Sequence, residues 1–187
     1  MKIRVFIIHG WGGNPNKDWI PWVKSQLETK GFEVLAPAMP DTDNPQIKPW
    51  VNKLSEVIKE PQKKDVLIGH SIGCQTILRF LAALPENQSV SKVILVAPWF
   101  KLTNLENDEA WKIADPWIKS PIIYSKVKSK ADSFIAVFSD NDQWVPLKEN
   151  KELFEKNLRP RIIVLHNKGH FTEEEGVKEL PEILRLL

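Results

Sequence analysis

Gly69-His-Ser-Ile-Gly73 is the stretch that decides the fold of this sequence. It follows the apolar run at residues 66–68 and precedes a segment with the pattern of a helix, residues 74–84. In a strand-turn-helix setting the central serine has a strained backbone that exposes its hydroxyl, and the flanking glycines prevent side-chain collisions. The helix N-terminus would also stabilise negative charge beside Ser71. The stretch therefore predicts a nucleophilic serine.

The composition is that of an ordinary globular protein. The 187 residues suffice for one domain with its own core, and 42% of them are hydrophobic and 27% charged. A net charge of +2 argues against a dedicated nucleic-acid surface, which is usually strongly basic. No run approaches the roughly 18 apolar residues of a membrane helix. We expect one domain over residues 1–187 that binds neither nucleic acid nor membranes.

The cysteine count and the N-terminus bear on the compartment. Cys74 is the only cysteine, so the chain cannot form an intrachain disulfide, and a reducing compartment fits. Its place three residues after Ser71 predicts a buried structural thiol. The apolar run at residues 5–8 is too short for a signal peptide and no cleavage site follows it. We expect a cytoplasmic protein.

Short β-rich segments alternate with longer segments of helical period along the chain. The predicted strands cover residues 3–8, 33–36, 66–68, 92–96, 134–138 and 162–165. The predicted helices cover residues 19–29, 47–59, 72–84, 147–157 and 173–187. This alternation is typical of βαβ units and predicts a parallel sheet with helices on both faces. The one long connection, residues 98–132, is predicted to form a small cap over the site.

An acidic residue and a histidine follow the last two predicted strands. In a parallel sheet, loops at the carboxyl ends of the strands converge on one crevice, so these residues can approach Ser71. Asp140 and Asp142 both lie in the first of these loops, where Asp140 can cap its own turn. His170, in a free loop, is favoured over His166, which still abuts its strand. A histidine would take the serine proton, and a carboxylate would orient the imidazole.

A glycine-rich loop follows the first predicted strand, with the sequence His-Gly-Trp-Gly-Gly-Asn-Pro at residues 9–15. Strand topology places this loop opposite Ser71. The backbone N–H groups of Trp11 and Ile72 are predicted to bind an oxyanion. The loop lacks the third glycine of a dinucleotide fingerprint and the Gly-Lys of a P-loop. His9 is predicted to be structural.

Together these motifs resemble the small serine hydrolases of the α/β-hydrolase superfamily, of the retinoblastoma-binding protein nine type and its bacterial relatives. The resemblance covers nearly the whole chain and includes Asp142-x-x-Val-Pro and Gly-His170-Phe. It implies a single α/β domain whose doubly wound sheet has about six parallel strands in the order 2-1-3-4-5-6. It also implies a triad of Ser71, Asp142 and His170 without metal or organic cofactor. The motif Leu-x-Cys-x-Glu is absent around Cys74, so no retinoblastoma-type partner is expected.

The expected activity is cleavage of small carboxylic esters through an acyl-enzyme. Thioesterase, amidase or acyltransferase action with the same triad remains an alternative, as does a binding protein on a hydrolase scaffold. Trp99, Trp117 and Trp144 are predicted to line the substrate pocket, with core packing as the alternative. The partner is then a small acyl substrate, and the sequence does not indicate which one, nor the oligomeric state.

Overall fold

The computed structural model describes residues 2–187, and these contain one six-stranded sheet. All neighbouring strands are parallel, in the order β2-β1-β3-β4-β5-β6. The strands are β1 Arg4–Ile8, β2 Glu33–Leu35, β3 Val66–His70, β4 Val90–Val96, β5 Ala131–Ser139 and β6 Arg161–Leu165. The predicted parallel sheet and its strand order are confirmed.

Seven α-helices lie within the described residues. They are α1 Ile20–Thr29, α2 Ile47–Ile58, α3 Ile72–Ala83, α4 Asp108–Lys119, α5 Tyr124–Lys128, α6 Leu147–Asn157 and α7 Pro181–Leu184. The sequence predicted α1, α2, α3 and α6, whereas α4 and α5 lie inside the connection at residues 98–132. Between residues 2 and 187, every helix is too short or too polar to cross a membrane.

Side chains alternate between two hydrophobic cores, one on each face of the sheet. Phe6 and Ile8 of β1 pack with residues of α2, α3 and α6, whereas Val5 and Ile7 pack with residues of α1 and α7. This division follows from the two-residue period of a strand. β3 is buried along its whole length because strands flank it on both sides and helices cover both faces. Ser71 therefore follows the most enclosed strand of the sheet.

The C-terminal segment differs from the predicted helix over residues 173–187. It forms a 3-10 turn at Glu173–Glu175 and the single helical turn of α7. Gly176 has a φ of 82°, a left-handed conformation that ends a helix. Pro181 has no N–H to continue a helix, but its fixed φ suits the first helical position. A glycine and a proline thus divide what the sequence pattern presented as one element.

The connection at residues 98–132 is attached to the main body through α4. The Asn107 side chain caps α4 by accepting a hydrogen bond from Ala110 N at 2.9 Å. At the other end of α4, Arg79 of α3 donates to the carbonyl oxygens of Trp117 at 2.7 Å and Ser120 at 3.1 Å. A cation at these carbonyls also suits the helix dipole. Asn107 therefore caps the first turn of α4, and Arg79 anchors its last turn to α3.

Candidate active site

Ser71 occupies the sharp turn between β3 and α3. Its φ of 52° and ψ of −118° lie outside the usual regions for a residue with a side chain. A Cβ atom at Gly69 would lie 2.7 Å from the backbone nitrogen of Cys74, and one at Gly73 would overlap the carbonyl oxygen of Ile8. Only glycine fits at these two positions, because α3 begins directly against the sheet. The glycines thus allow the strained turn that carries Ser71.

Ser71, His170 and Asp142 form a continuous hydrogen-bonded chain. His170 Nε2 lies 2.8 Å from Ser71 Oγ, and His170 Nδ1 lies 2.7 Å from Asp142 Oδ2. Because the Asp142 carboxylate accepts a hydrogen bond from Nδ1–H of His170, Nε2 carries no proton and can accept the hydroxyl proton of Ser71. The Asp142 side chain is 2% exposed and the His170 side chain 11% exposed. The structure thus brings together all three residues of the predicted triad.

The loop after β5 fixes the Asp142 carboxylate. Oδ1 accepts hydrogen bonds from the backbone nitrogens of Trp144 at 2.9 Å and Val145 at 3.0 Å. Oδ2 is therefore the oxygen that faces His170. The ring of Trp144 also packs edge-on against the imidazole, with centroids 5.2 Å apart. This short turn therefore orients both the Asp142 carboxylate and the imidazole ring of His170.

The loop after β6 is fixed on both sides of His170. Its backbone nitrogen donates to Glu175 Oε2 at 2.5 Å, and its carbonyl oxygen lies 2.7 Å from His70 Nε2. A carbonyl can only accept, so His70 carries its proton on Nε2. The pKa of His70 is lowered to about 3, mainly by burial and secondly by the charge of the nearby His170. His70 is consequently neutral at ordinary pH and holds the His170 backbone.

The two alternative residues, Asp140 and His166, lie at the surface and pair with each other. Asp140 Oδ2 is 2.5 Å from His166 Nδ1, and its Oδ1 accepts from the backbone nitrogen of Asn167 at 2.9 Å. The Asn167 hydrogen bond, followed by that of His166, lowers the pKa of Asp140. The His166 side chain is 85% exposed. This pair ties the two loops together beside the candidate site.

His9 supports the glycine-rich loop that follows β1. Its Nδ1 donates to the carbonyl oxygen of Gly10 at 2.8 Å, and its Nε2 accepts from the backbone nitrogen of Met39 at 3.0 Å. Burial lowers the pKa of His9, so the ring is neutral. The carbonyl of Gly10 and the N–H of Trp11 belong to one rigid peptide group. His9 therefore orients the peptide that carries a predicted oxyanion donor.

Both predicted oxyanion donors belong to residues that line the same cavity as Ser71. Within residues 2–187, neither the Trp11 nor the Ile72 backbone N–H has a hydrogen-bond acceptor. For Ile72 this follows from its place as the first residue of α3, where helical N–H groups lack partners. Two free N–H groups beside a serine hydroxyl are suited to bind a negatively charged oxygen.

The cavity above Ser71 has a volume of about 390 Å³. Two carboxylates, those of Asp18 and Glu106, are the charged groups among its described lining residues. Its uncharged walls include Trp11, Trp99, Leu102, Leu105, Ala110 and Trp144. Four of these six belong to the connection at residues 98–132, which therefore lines much of the cavity.

Trp117 does not line this cavity, contrary to the prediction. It is 1% exposed, packs edge-on against Trp50, and donates its indole N–H to the carbonyl oxygen of Pro45 at 2.8 Å. Ala110, seven residues earlier in α4, does face the cavity. Seven helical residues span about 10 Å, so Trp117 lies two turns beyond the site. Trp117 packs in the hydrophobic core on the side of α2 and α3.

Some residues of the site carried no clear sequence signal. Asp18 lines the cavity and accepts a hydrogen bond from Glu173 N at 2.9 Å, yet it stands in a polar loop without any motif. Burial raises the pKa of Asp18. His70 lies next to Ser71 inside the motif, and this adjacency was the one signal of its role. Across residues 2–187, no cluster of three or more His, Cys, Asp or Glu side chains is placed to hold a metal ion.

Comparison with known proteins agrees with this architecture. A sequence profile of the family described as serine hydrolase matches residues 5–187. YdeN of Bacillus subtilis is 29% identical over 188 residues, which cover 100% of this chain and 95% of YdeN. The serine hydrolase RBBP9 of Rattus norvegicus is 27% identical over 175 residues, which cover 92% of this chain and 89% of RBBP9.

A solved structure extends the agreement to three dimensions. The crystal structure of the ydeN gene product from B. subtilis matches with a TM-score of 0.90 at 27% identity, covering 99% of this chain and 96% of that chain. The resemblance first indicated by the motifs is thereby confirmed. The chain belongs to the serine hydrolase family and is a hydrolase with the α/β-hydrolase fold.

Proposed function

We propose that this hydrolase cleaves small carboxylic esters through an acyl-enzyme on Ser71. The observation that carries the proposal is the hydrogen-bonded chain from Ser71 Oγ to His170 Nε2, at 2.8 Å, and from His170 Nδ1 to Asp142 Oδ2, at 2.7 Å. Such a chain provides a nucleophile, a base that takes its proton, and a carboxylate that orients the base.

In the first half of the reaction, His170 Nε2 takes the hydroxyl proton while Ser71 Oγ bonds to the acyl carbon. The carbonyl oxygen becomes an oxyanion, which the N–H groups of Trp11 and Ile72 bind. Collapse of this intermediate breaks the bond to the alcohol, and His170 returns its proton to the departing oxygen. The product of this half is an acyl-enzyme on Ser71 and a free alcohol.

In the second half, a water molecule takes the place of the alcohol. His170 Nε2 removes one proton from the water as its oxygen bonds to the acyl carbon. The second tetrahedral intermediate breaks at its bond to Ser71 Oγ, and His170 returns the proton to the serine. The carboxylic acid leaves, and Asp142 stabilises the imidazolium in both halves.

The apolar lining of the cavity is consistent with small acyl groups as substrates. We propose that residues 98–132 form a small cap on a single domain, because Leu102, Leu105 and Trp99 provide apolar walls above Ser71. Apolar walls with few polar groups are typical of small-molecule sites. The buried thiol Cys74 supports a reducing, cytoplasmic location. Thioesters and amides would use the same atoms and are the comparison substrates for the test below.

The test is steady-state hydrolysis of phenyl acetate, S-phenyl thioacetate and acetanilide by the purified protein. We expect the ester to be the best of the three matched acetyl substrates. We also expect Ser71→Ala to lower ester turnover by roughly six orders of magnitude, to the background rate. Ester turnover that survives Ser71→Ala would contradict the proposal. A thioester preference above tenfold would move the function to a thioesterase with the same mechanism.

A further inference from the structure

The indole of Trp99 contacts the candidate nucleophile directly. Its Nε1 lies 3.3 Å from Ser71 Oγ, and the side chain is 2% exposed. Indole N–H groups only donate hydrogen bonds, so Ser71 Oγ is the acceptor. The sequence predicted Trp99 as a hydrophobic wall of the pocket, a role in which its N–H takes no part. The contact assigns that N–H to an oxygen that changes its bonding during the proposed reaction.

The backbone around Trp99 is fixed by hydrogen bonds with side chains of two helices, α3 and α6. The carbonyl oxygen of Trp99 accepts from Gln75 Nε2 of α3 at 2.5 Å. The next backbone nitrogen, that of Phe100, donates to Asn150 Oδ1 of α6 at 2.7 Å. Ala97, two residues before Trp99, has a φ of 46°, which is uncommon for a residue with a side chain. These restraints fix the backbone at Trp99, and burial together with the hydrogen bond to Ser71 Oγ restrains the indole itself.

The contact also determines how the Ser71 hydroxyl is used. A hydroxyl group has one proton to donate and two lone pairs that accept. The proton faces His170 Nε2 at 2.8 Å, and the Trp99 N–H occupies one lone pair. The other lone pair remains for attack on the acyl carbon. The two neighbours together orient the hydroxyl before the substrate arrives.

We propose that Trp99 is a catalytic residue whose indole N–H stabilises negative charge on Ser71 Oγ, an inference that rests on the proposed function. As the Oγ–H bond breaks and its proton moves to His170, charge grows on Oγ until the bond to the acyl carbon forms. The same charge grows when that bond breaks in the second half of the reaction. The Trp99 N–H stays hydrogen-bonded to Oγ in both halves of the reaction. The N–H groups of Trp11 and Ile72 instead bind the oxyanion that forms from the carbonyl oxygen of the substrate.

The two possible roles of Trp99, hydrogen-bond donor and pocket wall, predict different effects of substitution on the reaction rates. Loss of a wall slows the substrates whose acyl group touches it, and therefore changes the preference for acyl length. Loss of a donor to Oγ slows every substrate by a similar factor, because Oγ is common to all of them. It also slows a small phosphonate probe that has no acyl chain to fit. The experiment therefore needs a variant that loses the N–H but keeps an aromatic ring.

The experiment measures the rate constant of phosphonylation by a small ethyl fluorophosphonate and turnover of acetyl, butyryl and octanoyl esters. We expect Trp99→Phe to lower the phosphonylation rate constant and all three values of kcat by about 10-fold to 100-fold, with their ratios unchanged. Trp117→Phe is the matched control, because it removes a buried indole N–H outside the cavity. It should lower the melting temperature and leave the rates near those of the wild type.

Two results would overturn the inference. One is a Trp99→Phe variant with wild-type rates, and the other is a loss that grows with acyl length. If Trp99→Phe does not fold, the sulfur isostere of tryptophan at position 99 keeps the bicyclic ring and removes only the N–H. It must show the same uniform loss. Failure of the proposed function itself would appear differently, as a folded wild-type protein that the probe does not label.

Discussion

Asp142 and Asp140 are two residues apart in one loop, yet their carboxylates face different histidines. Asp142 is nearly fully buried and bonds to His170, whereas Asp140 lies at the surface and bonds to His166. The two pairs have similar hydrogen-bond lengths, so distance alone does not distinguish them. What distinguishes them is that the His170 ring continues to Ser71. This difference leads to a direct test by amide substitution.

We expect Asp142→Asn to lower ester turnover by roughly 10⁴-fold, because an amide favours the wrong tautomer of His170. Asp140→Asn is the matched control, since it makes the same chemical change in the same loop. Its turnover should stay within a few-fold of the wild type. Steady-state assays of both purified variants measure the difference. A large loss in Asp140→Asn with little loss in Asp142→Asn would assign the orienting role to the surface pair.

The buried neutral histidine His70 predicts a pH dependence of stability. Its pKa is about 3 in the folded protein because of burial, against about 6.5 in an unfolded chain. Between these values the unfolded state binds a proton that the folded state does not. Stability therefore falls as the pH is lowered through this window, by up to about 1.4 kcal/mol per pH unit.

Urea unfolding of the wild type and of His70→Gln at pH 7, 6 and 5 measures this effect. We expect the free energy of unfolding to fall more steeply with decreasing pH in the wild type than in the variant. Comparison of the two curves removes the contribution of carboxylates that both proteins share. Parallel curves for the two proteins would show that His70 does not remain neutral in the folded state.

At the scale of elements, the strands and four main helices could be predicted because hydrophobic burial dictates their patterns. Fully apolar runs mark buried parallel strands. β4 and β5 begin at residues 90 and 131 rather than 92 and 134, because the polar residues Ser91, Asp132 and Ser133 interrupt the apolar pattern at their starts. α4 could not be predicted, since Pro116 inside it argues against a helix. Pro116 has no N–H to donate to the carbonyl oxygen of Lys112, four residues earlier. Because Lys112 is exposed, water can donate to this oxygen instead.

The attachment of α4 gives a prediction for this element. Arg79 supplies the donors for the carbonyl oxygens of Trp117 and Ser120. Arg79→Leu would leave both oxygens without these donors, and we expect a loss of about 2 kcal/mol in the free energy of unfolding. Lys112→Ala, on the exposed face of the same helix, should change it by less than about 0.5 kcal/mol. Equal effects in urea unfolding would contradict the anchoring role of Arg79.

At the scale of the whole molecule, topology made the convergence of Ser71, Asp142 and His170 predictable, whereas it did not determine the residues of the pocket walls. Loops at the carboxyl ends of parallel strands converge, so an acidic residue and a histidine after the last two strands were expected near Ser71. The choice of Asp142 over Asp140 rested on the Asp-x-x-Val-Pro pattern of the family that the sequence resembles. The pocket walls depend on how a connecting segment folds back, which no local pattern determines. Trp99 and Trp144 consequently line the cavity, while Trp117 packs in the core.

The charge of the cavity predicts which substrates the molecule rejects. The charged lining residues within the described chain are Asp18 and Glu106, both acidic. We expect a butyryl ester to exceed the matching succinyl half-ester by at least about tenfold in kcat/KM at pH 8, because like charges repel in a partly buried site. Asp18→Asn, which keeps the oxygen that accepts from Glu173, should narrow the difference. A preference for the anionic ester would contradict this prediction.

The most direct test of the proposed mechanism is to find which residue bonds covalently to substrate-like probes. Wild-type protein would be treated with a fluorophosphonate, digested, and analysed by mass spectrometry for the modified peptide. We predict one adduct per chain, on Ser71, and no adduct in Ser71→Ala at equal probe concentration and time. An adduct on any other residue, or labelling that persists in Ser71→Ala, would contradict the claim that Ser71 is the nucleophile.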